Sequence, residues 1–426
     1  LGRVAIFTVG CKVNQGESEE LKMFLAGEGQ VICSDPAEAD LCVVNTCTVT
    51  AESDHKCRKL IRLLGRRGAK AIMVAGCYGE IAAGELERLP LVVEVIGNGG
   101  KQDWGRRVMR LLGEQPGGAQ EVAGLSRTRA FIKVQDGCER KCSYCIVPKA
   151  RGNEWSRPVR EVLSVARKWL DVGSGEVVLC GINLGRYRPE PGIDLDALVR
   201  EVLALGEGFR LRLSSIELED MDGSWLEKWA QDKRICPHLH LPLQSGDPDI
   251  LKDMGRGYRP EDFLSACRSA RRAWPGLALT TDAIAGYPGE SAGAFKATMR
   301  VLAEAGPARV HVFPFSARPG TAAFARDGRV AAAVVRERCG QLRRLAEECR
   351  LSYAKQRIGG RAQLLVERIR EGGERVALGT TEDYLKAVLP RVPPEVRPGS
   401  LIAARVAAVS DGVAVLSPDV PPGLPA

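Results

Sequence analysis

The sequence predicts an α/β protein in three parts: an N-terminal doubly wound parallel α/β domain, a central partial (β/α)6 barrel and a C-terminal small antiparallel β-barrel. Three observations predict it. Residues 3 to 112 alternate β-branched runs with helical patterns. From Phe131 six more strand-like runs recur with helical stretches between them, and from about Gln356 the rhythm changes to short strands separated by turns. A chain of 426 residues can bury two or three cores, and the divisions expected are 1–118, 119–355 and 356–420.

Composition narrows the class. Hydrophobic residues at 45% and charged residues at 27% are the balance of an ordinary globular chain. No run of about 18 apolar residues occurs, so no membrane partner is expected. The first residues enter a strand pattern without a basic and then apolar leader, which makes a cytoplasmic location the expectation; Leu1 in place of a methionine suggests a trimmed start. Fourteen cysteines without an export signal favour metal ligation over disulfides, because the cytosol keeps thiols reduced. A net charge of +8 suits a polyanionic partner such as nucleic acid.

In the first part, strands are expected at Arg3 to Val9, Leu41 to Asn45, Ala69 to Ala75 and Leu91 to Ile96. Helices are expected at about Ser18 to Ala26, Glu52 to Leu64 and Glu80 to Arg88, and Trp104 to Leu112 completes the series. Cys11, Cys47 and Cys77 each fall just beyond the carboxyl end of a strand. Ligand crevices of open α/β sheets lie at that edge, so these three thiols are expected to converge. Three convergent thiolates suggest an iron-sulfur cluster with one iron left open. Cys33, Cys42, Cys57, Cys180, Cys236, Cys267, Cys339 and Cys349 have no such placement and are taken as inert thiols.

Gly113 to Gly124 is rich in turn formers and is expected to be a linker. The barrel strands are expected at 131–135, 176–180, 210–214, 238–243, 279–284 and 309–313, with helices such as Val159 to Asp171 and Asp194 to Leu205 between them. Directly after the first strand stands Cys138-Glu139-Arg140-Lys141-Cys142-Ser143-Tyr144-Cys145, a CxxxCxxC loop. Three thiolates in eight residues can hold three irons of a cubane [4Fe-4S] cluster and leave the fourth iron for substrate. Other strand ends are polar: Ser214-Ser215-Ile216-Glu217, Leu243-Gln244-Ser245-Gly246 and Ala285-Gly286-Tyr287-Pro288-Gly289-Glu290. His238 and His240 alternate along one strand and are expected to face the barrel interior as packed or hydrogen-bonded side chains. Arg151, Arg157 and Arg160 offer charge for a phosphate or a carboxylate, or else form a solvated basic surface. Arg336 to Arg350 is expected to be an amphipathic connector helix.

The CxxxCxxC loop, with aromatic Tyr144 before its last cysteine, resembles the signature of the radical S-adenosylmethionine (radical SAM) superfamily. Gly10-Cys11-Lys12-Val13-Asn14-Gln15, Asn45-Thr46-Cys47-Thr48-Val49-Thr50 and Gly76-Cys77-Tyr78 resemble the amino-terminal domain of the methylthiotransferases, most nearly the branch that modifies tRNA. The resemblance covers essentially the whole chain. It implies two [4Fe-4S] clusters, an auxiliary one on Cys11, Cys47 and Cys77 and a SAM-binding one on Cys138, Cys142 and Cys145. By the same resemblance Gln244 and Ser245 sit near the ribose and methionyl end of SAM, Gly286 near its adenine, and Ser215 and Glu217 beside them. Where the superfamily has Gly-Gly-Glu, this chain has Cys180-Gly181-Ile182-Asn183, which leaves the contact to the SAM amino group unassigned. Thr381-Glu382-Asp383-Tyr384-Leu385-Lys386 resembles the RNA-binding TRAM domain that ends such enzymes, although residues 356–426 hold nine Lys and Arg against eight acids.

The chemistry so implied begins with an electron from a low-potential donor such as flavodoxin or ferredoxin, which cleaves SAM to methionine and a 5′-deoxyadenosyl radical. A second SAM methylates a sulfur at the auxiliary cluster. The CH3-S group then replaces hydrogen at C2 of N6-threonylcarbamoyladenosine beside the tRNA anticodon, in a loop where a protein can reach single-stranded bases. Two alternatives stay open: a sister enzyme acting on isopentenyladenosine tRNA or on a ribosomal-protein aspartate, and a non-catalytic RNA-binding iron-sulfur sensor. No single residue is assigned as catalytic.

Overall fold

The computed structural model describes residues 2–113 and 128–418; of the stretch expected to be a linker, all but Gly113 lies outside the described residues. The first body is a five-stranded parallel sheet of β1 (Arg3–Thr8), β2 (Val31–Cys33), β3 (Leu41–Thr46), β4 (Ile72–Gly76) and β5 (Val92–Ile96) in the order β2-β1-β3-β4-β5. Helices α1 (Lys12–Gly27), α2 (Ala51–Arg66), α3 (Cys77–Glu87) and α4 (Trp104–Leu111) cover it. Leu21, Leu25, Trp104 and Val108 pack on one face of the sheet, and Cys57, Ile61, Leu64 and Leu86 pack on the other. Both faces being covered, β3 and β4 are buried throughout and read as mostly apolar runs, with polar Asn45 and Thr46 at the crevice end of β3. The strand order reverses between β1 and β3, and there the crevice opens at the carboxyl ends. Helix α1 starts six residues earlier than expected, because Cys11 caps it and the Asn14 side chain turns back to accept the Cys11 N–H at 3.4 Å.

The second body begins with β6 (Arg129–Lys133), followed by the short pair β7 (Gln135–Asp136) and β8 (Trp155–Ser156) that brackets α5 (Val147–Arg151). Then come α6 (Val159–Asp171), β9 (Glu176–Cys180), α7 (Leu195–Leu203), β10 (Arg210–Leu213), α8 (Gly223–Trp229) and β11 (His238–His240). The series ends with α9 (Pro248–Asp253), α10 (Pro260–Ala273), β12 (Ala278–Ala285), α11 (Ala292–Ala305) and β13 (Arg309–Pro314). Two three-stranded parallel sheets, β10-β9-β6 and β11-β12-β13, are joined by a parallel bridge from Ser215 to His240. The result is a six-stranded partial barrel. Val177, Leu179, Leu211, Leu213, Leu239 and Leu279 point outward into the core under the helices. Strand alternation therefore turns Glu176, Val178, Cys180, Arg210, Arg212, His238, His240, Thr280, Asp282 and His311 into the lumen.

The third body follows the connector helix α12 (Ala332–Gln356), which is longer at both ends than expected. Strands β14 (Arg361–Arg370), β15 (Val376–Thr380), β16 (Lys386–Leu389), β17 (Leu401–Ser410) and β18 (Val413–Pro418) close a barrel in the order β14-β15-β16-β18-β17. It is not antiparallel throughout, since β16 and β18 run parallel. The connection 390–400 carries the chain across the barrel end before β17, and that reversal makes the pair parallel. The strand expected from Tyr384 starts at Lys386, because Tyr384 lies in a turn with φ of 68°.

That turn is plugged into the lower, amino-terminal end of the central barrel. The Tyr384 ring lies 3.8 Å below the Arg212 guanidinium and edge-on to His238 at 4.6 Å. Arg212 also donates to the Glu382 carbonyl at 2.7 Å, and Asp383 accepts from Tyr353 at 2.9 Å and Arg357 at 2.6 Å. The stretch Thr381–Lys386, linked to RNA by resemblance, is thus a docking contact between bodies. Glu176, fully buried, anchors the arrangement by accepting from Arg210 at 2.6 Å, Arg212 at 2.8 Å and Arg129 at 2.9 Å. Burial pushes its carboxyl up, but Arg212 and Arg210 outweigh burial and hold it well below the carboxylate range. Glu176→Gln leaves buried cations unpaired, and chemical denaturation is expected to show a loss of about 3–5 kcal/mol. Because the folded-state pKa is depressed, this contribution is complete above the ordinary value of 4.5 and is lost as pH falls below it. A variant as acid-resistant and as stable as wild type would remove Glu176 from this role.

The N-terminal body bridges the gap of the partial barrel. Helix α1 lies on β6 so closely that a Cβ on Gly16 would stand 2.6 Å from the Phe131 carbonyl oxygen. At the other edge, the segment after β13 binds the same body through Ser316, which accepts the Ala51 N–H at 2.9 Å, and Arg318, which pairs with Asp54 at 2.6 Å.

Candidate active site

Cys11, Cys47 and Cys77 stand beyond β1, β3 and β4, three adjacent strands, so the sheet itself brings them together. Each of the three thiols lies within electrostatic reach of another. Burial pushes Cys47 up to about 11; Cys11 is exposed at the crevice rim, where surrounding protein raises its thiol and Arg151 opposes the rise. Asn14 and Asn45 lock the crevice floor, with Asn14 Nδ2 donating to Asn45 Oδ1 at 3.1 Å. Asn98 Nδ2 donates to Cys77 Sγ at 3.4 Å, while Asn98 Oδ1 is buried without a partner. Arg151 pairs with Glu17 at 3.2 Å and Asp136 at 2.8 Å, yet its second terminal nitrogen is buried and unpartnered beside these thiols. Three sulfurs with an idle guanidinium N–H fit an anionic iron-sulfur group.

Cys138, Cys142 and Cys145 sit in the loop after β7, held in shape by bonds that do not involve their sulfurs. Ser143 N–H donates to Met254 O at 3.0 Å, Ala323 N–H to Ser143 O at 2.7 Å, and Ser143 Oγ to Asp253 O at 2.8 Å. Tyr144 packs against Ile250, Met254 and Tyr287, which explains the aromatic residue at that place. Desolvation raises Cys138, and it pushes Cys145 up to about 12, so either thiol would have to give up a proton to ligate a metal. Arg256 Nη1 lies 3.6 Å from Cys142 Sγ and pairs with Glu217. Sequence reasoning missed Arg256, which stands outside every motif.

The expected SAM contacts divide. Glu217 and half-buried Ser215 lie at the lumen mouth beside the cluster loop. Gln244 has a left-handed backbone with φ of 67° and is buried in the strand-end turn, its N–H donating to Asp282 O at 2.9 Å. Ser245 is fully buried, 3.4 Å from the Thr298 hydroxyl of α11. Gly286 donates its N–H to Glu290 at 2.7 Å, and a Cβ there would strike Val335 at 2.4 Å. After β9, Asn183 Nδ2 donates to Asp220 at 2.7 Å and Asn183 Oδ1 is buried with no partner.

Inside the lumen, His238 Nε2 and His240 Nδ1 both lie 3.0 Å from Thr280 Oγ1, as packed, hydrogen-bonded histidines. His240 Nε2 is 3.2 Å from Asp282, and His311 completes a group whose ligand atoms all lie within 4.8 Å. Neither cysteine set closes that tightly among the described residues. Of the three arginines considered, Arg151 serves the Cys11 side, Arg157 clamps Glu20 at 2.8 and 2.9 Å, and Arg160 is exposed on α6.

Residues 132–302 match the radical SAM superfamily, and residues 3–97 match the family described as uncharacterized protein family UPF0004. The threonylcarbamoyladenosine tRNA methylthiotransferase MtaB of Thermotoga maritima is 35% identical over 85% of this chain and 86% of its own. MtaB of Bacillus subtilis is 32% identical, covering 91% and 90%. The tRNA-2-methylthio-N(6)-dimethylallyladenosine synthase of Cereibacter sphaeroides is also 32% identical, covering 95% and 96%. In fold the chain is similar to the radical S-adenosylmethionine methyltransferase TsrM of Kitasatospora setae, with a TM-score of 0.55 at 15% identity over 76% of this chain and 77% of that one.

A partial parallel barrel with CxxxCxxC after its first strand defines the class, a radical SAM enzyme. With the N-terminal body and relatives spanning most of its length, the chain belongs to the radical SAM methylthiotransferase family, among relatives of the MtaB type. Members of this class use SAM and [4Fe-4S] clusters, and the donor sets described above fit them. No described helix is long and apolar enough to cross a membrane.

Proposed function

We propose that the protein adds a methylthio group to C2 of N6-threonylcarbamoyladenosine next to the anticodon of tRNA. The observation that carries the reading is the placement of two three-cysteine sets on either side of one polar lumen. Helix α5, which follows Cys145 and ends at Arg151 beside Cys11 and Cys77, is about 7 Å long, so one bound base can face both sets.

Cys138, Cys142 and Cys145 are proposed to hold the SAM-binding cluster, and Cys11, Cys47 and Cys77 the auxiliary one. Bound there, the clusters and SAM supply the radical that breaks an unreactive C–H bond and the sulfur that takes the place of hydrogen. The chain's own residues do the rest. Arg256, tied to Glu217, sets a positive charge against Cys142. Asn183 Oδ1 offers an acceptor for the SAM ammonium, Ser215 and Gln244 line its approach, and Ser245 and Gly286 shape the strand ends behind them. Arg151 and Asn98 donate toward the auxiliary group. A flavodoxin or ferredoxin is the proposed electron source, the cytoplasm the proposed location, and an RNA contact on the terminal barrel would use a face other than the docked Tyr384 turn.

Anaerobic protein with SAM, reductant and tRNA carrying threonylcarbamoyladenosine is expected to yield the 2-methylthio nucleoside by mass spectrometry. Equal or faster turnover of isopentenyladenosine tRNA would move the assignment to the sister enzyme.

A further inference from the structure

Lys12 follows Cys11 directly, yet its side chain leaves the crevice and enters the barrel. Its neighbour Val13 packs against the lumen faces of Val178 and Cys180. The Lys12 ammonium lies 5.2 Å from the centre of the Tyr384 ring, which itself touches Arg212 and His238. Its charge reaches His238, which burial and then Arg212 hold neutral, and His311, which burial lowers to about 4. The other lumen charges are spoken for: Arg212 by Glu176, and Asp282 by His240. Among the described residues no carboxylate lies within ion-pair distance of Lys12. A half-buried cation without a counterion, walled by an arginine and two histidines, is a place for an anion from outside.

Resting on the function proposed above, we infer that Lys12 binds the carboxylate of the substituent on N6 and so selects threonylcarbamoyladenosine over nucleosides with an apolar N6 group. The chemistry of the base supports the position. C6, N1 and C2 are consecutive ring atoms, so the group on N6 and the reacting C2 share one edge of the purine. Anchoring that group on the Lys12 ammonium, one side-chain length from the backbone next to Cys11, leaves C2 on the side of the base that can turn toward the Cys11/Cys47/Cys77 crevice. An isopentenyl group would leave the ammonium unpaired and desolvated, a penalty that a site built for a charged partner exacts from an analogue lacking it. Lys12 is a specificity residue; it needs no proton transfer.

The test uses the reconstituted full chain without reductant, so that binding is read apart from turnover. Fluorescence anisotropy compares anticodon stem-loops carrying threonylcarbamoyladenosine, its methyl ester and unmodified adenosine. Wild type is expected to bind the acid about tenfold or more tighter than the ester. Lys12→Gln should bind acid and ester alike while keeping wild-type iron content and affinity for the unmodified loop, and Lys12→Arg should retain most of the preference. A wild type that does not distinguish acid from ester, or a Lys12→Gln protein that still does, overturns the inference even where the 2-methylthio product forms. A wild type that modifies only isopentenyladenosine tRNA instead fails at the earlier step, in the choice of substrate.

Discussion

Replacing Cys138, Cys142 and Cys145 together by alanine is expected to leave about four irons per chain out of about eight and to abolish reductive cleavage of SAM. The loss is chemical because the loop does not depend on its thiols for shape: Ser143 is tied to Met254 and Asp253, and Ala323 to Ser143. The variant should therefore fold, dock its three bodies and bind RNA as wild type does. Iron assay and chromatography of 5′-deoxyadenosine after reduction check the two halves of the expectation. Cleavage within about tenfold of wild type would remove these cysteines from the site where SAM is activated.

The complementary variant, with Cys11, Cys47 and Cys77 replaced by alanine, should also keep about four irons, yet its product pattern should differ. It should still form 5′-deoxyadenosine, because the loop after β7 and the Arg256–Glu217 pair belong to another body. It should deliver no methylthio group to RNA. The crevice should survive, since Asn14, Asn45 and Thr46 bond to one another without the sulfurs. Full iron content, or continued methylthiolation, would sink the two-cluster reading.

What could be read in advance depended on how local the cause was. Cys11, Cys47 and Cys77 were legible as a set because a parallel sheet fixes where its carboxyl ends lie, and the inward pair His238 and His240 followed from strand alternation. Strand β2 was missed, since three residues at a sheet edge leave too short a pattern. Arg256 carries no signal of its own, meeting Cys142 from 114 residues away; Lys12 stands in a segment that points to the branch, but it acquires its surroundings only when α1 lies across β6. The docking role of Tyr384 was hidden for the same reason, its partners Arg212 and His238 being set in strands far upstream. The parallel pair β16–β18 was also unreadable, because short strands with turns suit any small barrel and pairing direction depends on where a long connection crosses.

Among the described residues, the Tyr384 plug and the arginine layer around Glu176 fill the lower end of the central lumen. With the terminal barrel at the lower end and the N-terminal body across the side gap, the mouth at the strand carboxyl ends is the opening left beside the CxxxCxxC loop among the described residues. On the function proposed above, SAM would be seated before the RNA loop covers that mouth, and its spent fragments would leave after the loop lifts.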